Sequence, residues 1–187
     1  MHRDTPQQKH PPHRTERKIK KIILGIDPGI ANTGYGVVEA HANHFTARTF
    51  GNIKTSPKTA SEVRLKQIYD VVTDLIAEFA IEIIVLEDIF FSKNVSSAFA
   101  VGEVKGIVKL AAANTDCSFS VYTPTQVKQA VVGYGKATKF QVQKMTQALL
   151  KLKEPPRPDH AADALALALC HARSYKVLQL REKYTQS

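Results

Sequence analysis

The chain has 187 residues, enough for one domain with a sizeable core, and its 43% of hydrophobic residues is ordinary for a soluble globular protein. The sequence has no apolar run long enough to span a membrane and no apolar signal-peptide centre near its N-terminus. Its two cysteines, Cys117 and Cys170, are too far apart for a metal motif and do not indicate a disulfide framework. We therefore expect a cytoplasmic protein, and its net charge of +9 favours nucleic acid as a partner.

The charges are unevenly distributed along the chain. Residues 93–153 contain nine lysines and two acids, whereas residues 54–90 contain seven acids and four basic residues. A lysine-rich face is often only a solvated surface. The length of this imbalance instead favours contact with a phosphate backbone.

The two ends of the chain differ in composition from the part between them. Residues 1–19 are basic, rich in proline, glutamine and histidine, and without apolar periodicity, which predicts a disordered tail. Residues 20–176 carry the predicted strands and helices and should form one domain. Residues 177–187 are expected to form a C-terminal tail.

Five strands are predicted, and two of them end in an acid. KIILGID (21–27) is a β-branched apolar run that stops at a Pro-Gly turn, with Asp27 at its end. TGYGVVEA and HFTARTFGNI follow as an antiparallel pair. EIIVLED (82–88) is a second buried strand, which Glu87 closes, and SFSVYT is the last strand.

Helices are predicted between and after these strands. Apolar residues at helical spacing predict helices in SEVRLKQIYDVVTDLIAEFA and from Asn94 to Ala113, and further helices begin at Thr125, Ala137 and Asp159. Three strands followed by alternating helices and strands indicate an α/β fold, with a mixed five-stranded sheet flanked by helices.

The predicted topology brings two acids to one edge of the sheet. The right-handed crossover rule lets EIIVLED lie parallel to KIILGID. If the two strands are neighbours, Asp27 and Glu87 emerge side by side at their carboxyl ends, which is where ligands bind in open α/β sheets. Each acid alone has an ordinary explanation, since Asp27 suits a turn and Glu87 could mark where a strand meets solvent.

The last helix carries three polar residues close together in DHAADALALAL. Asp159 most simply caps the helix, and His160 alone would be read as an exposed residue of the first turn. Asp163 stands among apolar residues, so we expect it to be buried and to need a cation, either a basic side chain or a metal. His160 and Asp163 are three residues apart and share a helix face.

Three acids on elements that converge weaken the separate explanations. Clustered carboxylates repel one another, and divalent cations relieve that repulsion. Oxygen ligands with one imidazole suit Mg²⁺ or Mn²⁺. Two such ions activate water and stabilise the leaving oxygen of a phosphodiester, so an acid cluster on a lysine-rich protein predicts a metal-dependent nuclease.

Four separated motifs resemble the RuvC family of Holliday-junction resolvases. They are GIDPGIANTGYGVV, VLEDIFFSKN, QVKQAVVGYGKATKFQVQKM and DHAADALALAL, and they run in order from about Ile22 to Ala172. The resemblance implies an RNase H-like nuclease domain in residues 20–176 and a homodimer. It also implies two Mg²⁺ ions per site, with Mn²⁺ as a substitute, and paired symmetric nicks in a four-way DNA junction that leave 5′-phosphates. A partnership with a RuvA–RuvB branch-migration complex is implied by the family alone.

The resemblance also implies roles for particular residues. Asp27, Glu87, His160 and Asp163 would be the catalytic metal ligands, and the family places either an acid or a histidine at the position of His160. Phe90 matches an aromatic residue that stacks on bases at the junction centre, although Phe91 competes for this role and core packing is the simpler reading. The resemblance also implies phosphate contacts, from Lys128 and Lys139, for which ordinary surface charge is the alternative.

Two other classes of protein remain as alternatives. GIDPG also resembles a phosphate loop of actin-like ATPases and sugar kinases, but these need a second similar domain and a second Gly-rich acidic loop. A non-catalytic junction- or RNA-binding protein of the same fold is the other alternative, and the complete carboxylate set argues against it.

Overall fold

A computed structural model of the protein describes residues 20–88 and 95–185, with backbone alone for residues 95–97 and 175–185. These ranges contain five strands and five helices. The strands are β1 (Lys20–Asp27), β2 (Asn32–His41), β3 (His44–Lys54), β4 (Ile83–Glu87) and β5 (Ser118–Tyr122). The helices are α1 (Ser61–Phe79), α2 (Val95–Asn114), α3 (Pro124–Val132), α4 (Lys139–Leu149) and α5 (Asp159–Thr185).

The five strands form one mixed sheet in the order β3-β2-β1-β4-β5. The first three strands pair antiparallel, and β4 runs parallel both to β1 and to β5. The predicted fold class, including the parallel pairing of the strands that end in Asp27 and Glu87, is confirmed.

Alternate residues of the strands support different helices on the two faces of the sheet. Leu24, Ile26 and Ile84 pack with α1 and α2 in one apolar core. Ile23 and Val85 pack with α3, α4 and α5 in the other. This alternation is the ordinary period of a strand, and it makes the sheet buried on both faces.

Glycines let α5 lie directly on the sheet. A methyl group at Gly25 would collide with the carbonyl group of Ala164, and one at Gly34 with the carbonyl group of His160. A methyl group at Gly36 would lie 2.8 Å from the side chain of Leu165. Because these positions carry no side chain, the backbone of α5 reaches the strands β1 and β2 and its first turns are held in place.

The short helices α3 and α4 each begin with a capping box. Thr123 with Gln126 caps α3, and Thr138 with Gln141 caps α4, so the helices begin one residue before and two residues after their predicted starts. Helix α5 continues to Thr185, through most of the segment predicted as a C-terminal tail. The predicted N-terminal tail lies outside the described residues. In the described part of the chain, no helix is long and apolar enough to cross a membrane.

Candidate active site

Asp27 and Glu87 lie at the carboxyl edge of the sheet, as predicted. The parallel register pairs Ile26 with Leu86, so the next residue on each strand is one of the two acids. The side chain of Asp27 is 16% exposed, and Glu87 is half-buried. The two carboxylates therefore leave neighbouring strands at the same level, and both are partly shielded from water.

The beginning of α5 brings His160 to this edge. Nδ1 of His160 donates a hydrogen bond to Oδ2 of Asp27 over 2.7 Å, across 133 residues of sequence. The imidazole is 48% exposed, as a first-turn residue would be, but its contact joins it to the acid cluster. The bond to Nδ1 leaves the lone pair of a neutral imidazole on Nε2, where it is available to a ligand.

Asp163 belongs to the same cluster, but the expectation that it is buried is wrong. Its side chain is 35% exposed, whereas Ala161, Ala162 and Ala164 around it are buried. Its charge acts on Asp27 and Glu87, so Asp163 lies near the edge where their strands end. A basic side chain contacts it in this structure, since Nζ of Lys139 lies 2.9 Å from Oδ2 of Asp163.

Asp159 does not cap α5 as predicted. The carbonyl of Pro158 accepts hydrogen bonds from the N–H groups of Ala161 and Ala162, so the helix begins with Asp159 as its first residue. The Asp159 carboxylate instead accepts a hydrogen bond from Gln143 at 3.2 Å and pairs with Lys139 at 3.3 Å. An acid in the first turn still favours the helix dipole, and here it also holds a lysine beside the site.

The electrostatics show that the acids act on one another. Burial, followed by the charges of Asp27 and Asp163, raises the pKa of Glu87 from 4.5 to about 7. Burial also raises the pKa of Asp27, with Asp163 adding to the rise and the hydrogen bond from His160 opposing it. Three carboxylates thus share a small region in which their full ionisation is unfavourable.

Lys139 is the main counter-charge in this arrangement. Burial alone would lower the pKa of Lys139, but the hydrogen bonds and charges of Asp163 and Asp159 outweigh it and raise the pKa. The same contact lowers the pKa of Asp159. The lysine therefore stays charged and bridges two acids of α5.

The donor set fits a hard divalent cation. Asp27, Glu87 and Asp163 supply carboxylate oxygens and His160 supplies an imidazole, which is the set that suits Mg²⁺ or Mn²⁺. As the side chains stand, no three His, Cys, Asp or Glu groups among the described residues converge closely enough to hold an ion. In this arrangement Lys139 supplies a positive charge beside Asp163, and His160 supplies a hydrogen bond to Asp27.

The structure places the two lysines that were predicted to contact DNA in different surroundings. Lys139 touches the cluster, while Lys128 is half-buried on α3. Phe90 and Phe91 lie outside the described residues. Sequence reasoning missed Gly25 and Gly34 as residues that seat α5 against the site, although their position beside the GIDPG and TGYG motifs was the available signal.

Comparisons with known proteins identify the family to which the chain is similar. The family model of the crossover junction endodeoxyribonuclease RuvC matches residues 23–171. The RuvC protein of Alkaliphilus metalliredigens is 50% identical over 153 residues, 82% of this chain and 93% of the relative. The RuvC protein of Desulforamulus reducens is 49% identical over 152 residues, 81% of this chain and 93% of the relative.

Solved structures give the same result. The Thermus thermophilus RuvC structure in complex with a Holliday junction substrate superposes with a TM-score of 0.81 at 38% identity, covering 84% of this chain and 96% of that one. The yeast mitochondrial Holliday junction resolvase shares only the fold, with a TM-score of 0.63 at 13% identity, over 89% of this chain and 85% of that one. By the family model and by these relatives, the chain belongs to the RuvC family of crossover junction endodeoxyribonucleases.

Proposed function

We propose that this protein is a nuclease that resolves four-way DNA junctions by paired symmetric nicks, leaving 5′-phosphates. The observation that carries the proposal is that Asp27, Glu87 and Asp163 lie near enough to one another at the carboxyl edge of the sheet for the charges of Asp27 and Asp163 to contribute to a pKa of about 7 for Glu87. Such a cluster is unfavourable by itself and becomes favourable when it binds cations. Family membership supports the nuclease activity, and the Thermus thermophilus complex supports the junction as the substrate.

We propose that Asp27, Glu87, His160 and Asp163 hold two Mg²⁺ ions, for which Mn²⁺ would substitute. Bound in pairs, such ions supply an activated water and stabilise the leaving oxygen of a phosphodiester. Asp27 is fixed for this task by β1 and by its hydrogen bond to His160. Asp163 is fixed by the first turns of α5, which lie on the glycines of the sheet.

Lys139 has two tasks in this proposal. Without DNA it neutralises Asp163 and Asp159. When a phosphate enters the site, Asp159, whose carboxylate accepts a hydrogen bond from Gln143, keeps the lysine nearby while the ammonium group of Lys139 turns to the phosphate. We place a further phosphate contact at Lys128. Phe90, outside the described residues, is proposed to stack on bases at the junction centre.

We propose that the protein acts as a homodimer through α2, since two opposed cuts need two opposed sites. Phe99 is 73% exposed and Leu110 is 53% exposed on this helix. Between them, Gly102 and Gly106 have open space where a side chain would stand. These residues recur every three or four positions, so they form one apolar stripe on which a second copy can lie closely.

The family further leads us to propose a cytoplasmic location and a partnership with a RuvA–RuvB branch-migration complex. The curated relatives named above are bacterial RuvC proteins, which supports a cytoplasmic location. The partnership is tested by measuring whether purified RuvA and RuvB increase the rate of junction nicking.

A cleavage assay with three substrates tests the proposed function. Four-way, duplex and single-stranded DNA of the same sequence are incubated with Mg²⁺, Mn²⁺, Ca²⁺ or a chelator. We expect symmetric nicks in the four-way junction alone, with Mg²⁺ or Mn²⁺. Tight junction binding without nicking would indicate the non-catalytic alternative, and nucleotide hydrolysis without nicking would indicate the ATPase alternative.

A further inference from the structure

The outer face of α4 carries a phenylalanine that core packing does not explain. Phe140 is the second residue of α4 and is 66% exposed. Val142 and Thr146 are the buried residues of this helix. Phe140 and Lys144 each precede one of them by two positions, which places the pair on the opposite, outward side.

One lysine lies over this ring, and the sequence around it is rich in lysine. Nζ of Lys144 lies 5.7 Å from the centre of the Phe140 ring. Lys136 is exposed in the turn before α4, and Tyr134 in the same turn is 45% exposed. Residues 123–153 contain six lysines and no aspartate or glutamate. Aromatic rings among lysines suit a polyanion that carries flat aromatic groups.

The same surface begins at the candidate active site. Lys139 directly precedes Phe140, and its ammonium group contacts Asp163. The capping box of Thr138 and Gln141 fixes the turn in which both residues lie. The ring of Phe140 is therefore held one residue away from the lysine at the site, on a regular helix.

We propose that Tyr134, Lys136, Phe140 and Lys144, called here the α4 surface, bind the DNA strand that continues from the cut phosphate. The Phe140 ring stacks on a base of this strand, while Lys136 and Lys144 contact its flanking phosphates. An open four-way junction exposes unstacked bases at its centre, and stacking on an aromatic ring tolerates any base. This inference rests on the proposed junction cleavage and adds to it a base contact close to the cut.

Binding measurements on chosen variants test the α4 surface. Affinity for a fluorescent four-way junction is measured in a chelator, so that no strand is cut, at several salt concentrations. Phe140→Leu should bind about 10-fold more weakly, because it keeps apolar volume but loses the ring, and Phe140→Tyr should bind like the wild type. Lys144→Ala should reduce the slope of log K against log salt by about 0.9.

Matched controls and a crosslink locate the contact. Val63→Ala and Lys66→Ala change an exposed apolar residue and an exposed lysine of α1, on the other face of the sheet, and should leave affinity and slope unchanged. A photoreactive benzoylphenylalanine at position 140 should crosslink to nucleotides next to the cut, and one at position 63 should not.

Two outcomes separate this inference from the proposed function. If the wild type nicks junctions while Phe140→Leu and Lys144→Ala keep wild-type affinity and slope, the α4 surface is wrong and the nuclease stands. If the wild type neither binds nor nicks a four-way junction, the proposed function itself is wrong.

Discussion

The two faces of the sheet use glycine in opposite ways. On the α5 face, Gly25 and Gly34 are pressed against the helix backbone, with no room for a methyl group. On the other face, Gly102 and Gly106 of α2 have no described atom within 4 Å of where a side chain would stand. The first pair builds the site within one chain. The second pair leaves a surface on which another chain can pack.

Charged and apolar side chains are divided between the two faces in the same way. The polar cluster lies where α5 is fixed on the sheet, and it consists of Asp27, Glu87, His160 and Asp163. The strength of the interactions among these side chains depends on the distances that this packing sets. The helix α2 instead presents Phe99 and Leu110 to solvent. A small residue therefore has to be judged by what lies opposite it, and the three glycine variants below test this view.

The largest effect on the fold is expected from Gly34→Ala. The added methyl group meets the carbonyl group of His160, so α5 must shift away from Asp27. We expect a loss of about 1–3 kcal/mol in the free energy of unfolding and about 10²-fold in nicking rate, because a small misplacement of a ligand has a large effect on catalysis. Chemical denaturation and a single-turnover cleavage assay measure the two losses.

Gly102→Ala is the matched control for this change. Its methyl group enters open space within a helix, so the free energy of unfolding should stay the same or rise by up to about 1 kcal/mol. Equal losses in the two variants would show that the two faces do not differ as described.

A larger side chain on α2 should separate the dimer. Gly106→Leu puts a bulky group into the stripe of each copy, and we expect the dimer dissociation constant to rise about 10- to 100-fold without loss of helix content. Sedimentation velocity measures the assembly, and circular dichroism measures the fold. Lys66→Leu is the control, because it adds the same side chain to α1 and should leave the dimer intact. A Gly106→Leu variant with the dissociation constant of the wild type would exclude α2 as the interface.

The smallest effect is a pH dependence of stability without metal. The pKa of Glu87 is raised from 4.5 to about 7 in the folded protein, so the folded state binds the proton more tightly than the unfolded state. Its contribution is therefore present at low pH and is lost as pH rises from about 4.5 to about 7. Glu87→Gln removes this loss and should be more stable than the wild type near pH 7 by about 1–2 kcal/mol, after discounting for water contact.

Thermal unfolding across this pH range compares the two proteins. Glu78→Gln is the control, because it makes the same change in an exposed acid of α1. Mg²⁺ should raise the melting temperature of the wild type near pH 7 more than that of Glu87→Gln. Parallel curves of melting temperature against pH for the wild type and Glu87→Gln would show that burial and the neighbouring acids do not raise the pKa of Glu87.

The sequence was sufficient for the parts of the site that depend on local pattern. The apolar runs that end in Asp27 and Glu87 predicted both strand ends, and the crossover rule predicted their parallel pairing. The spacing of His160 and Asp163 predicted a shared helix face. These features follow from the period of a strand or a helix and need no knowledge of how distant elements dock.

The missed features depend on docking. Lys139 and Asp163 are 24 residues apart on different helices, so their contact requires the position of α4 against α5. The apolar composition of α5 does not reveal the partial exposure of Asp163. Asp159 has the right residue type for a cap, but the helix begins at it and not after it.

We propose that Asp27, Glu87 and Asp163 are needed for cleavage, while residues elsewhere in the protein bind the DNA. Asp27→Asn, Glu87→Gln and Asp163→Asn are compared with the wild type for nicking with Mg²⁺ and for junction affinity in a chelator, each on one preparation. We expect nicking to fall by about 10³-fold or more and affinity to stay the same or rise, because each change removes negative charge near the DNA. Normal nicking by any of the three variants, or a parallel loss of binding and cleavage in all of them, would contradict the account.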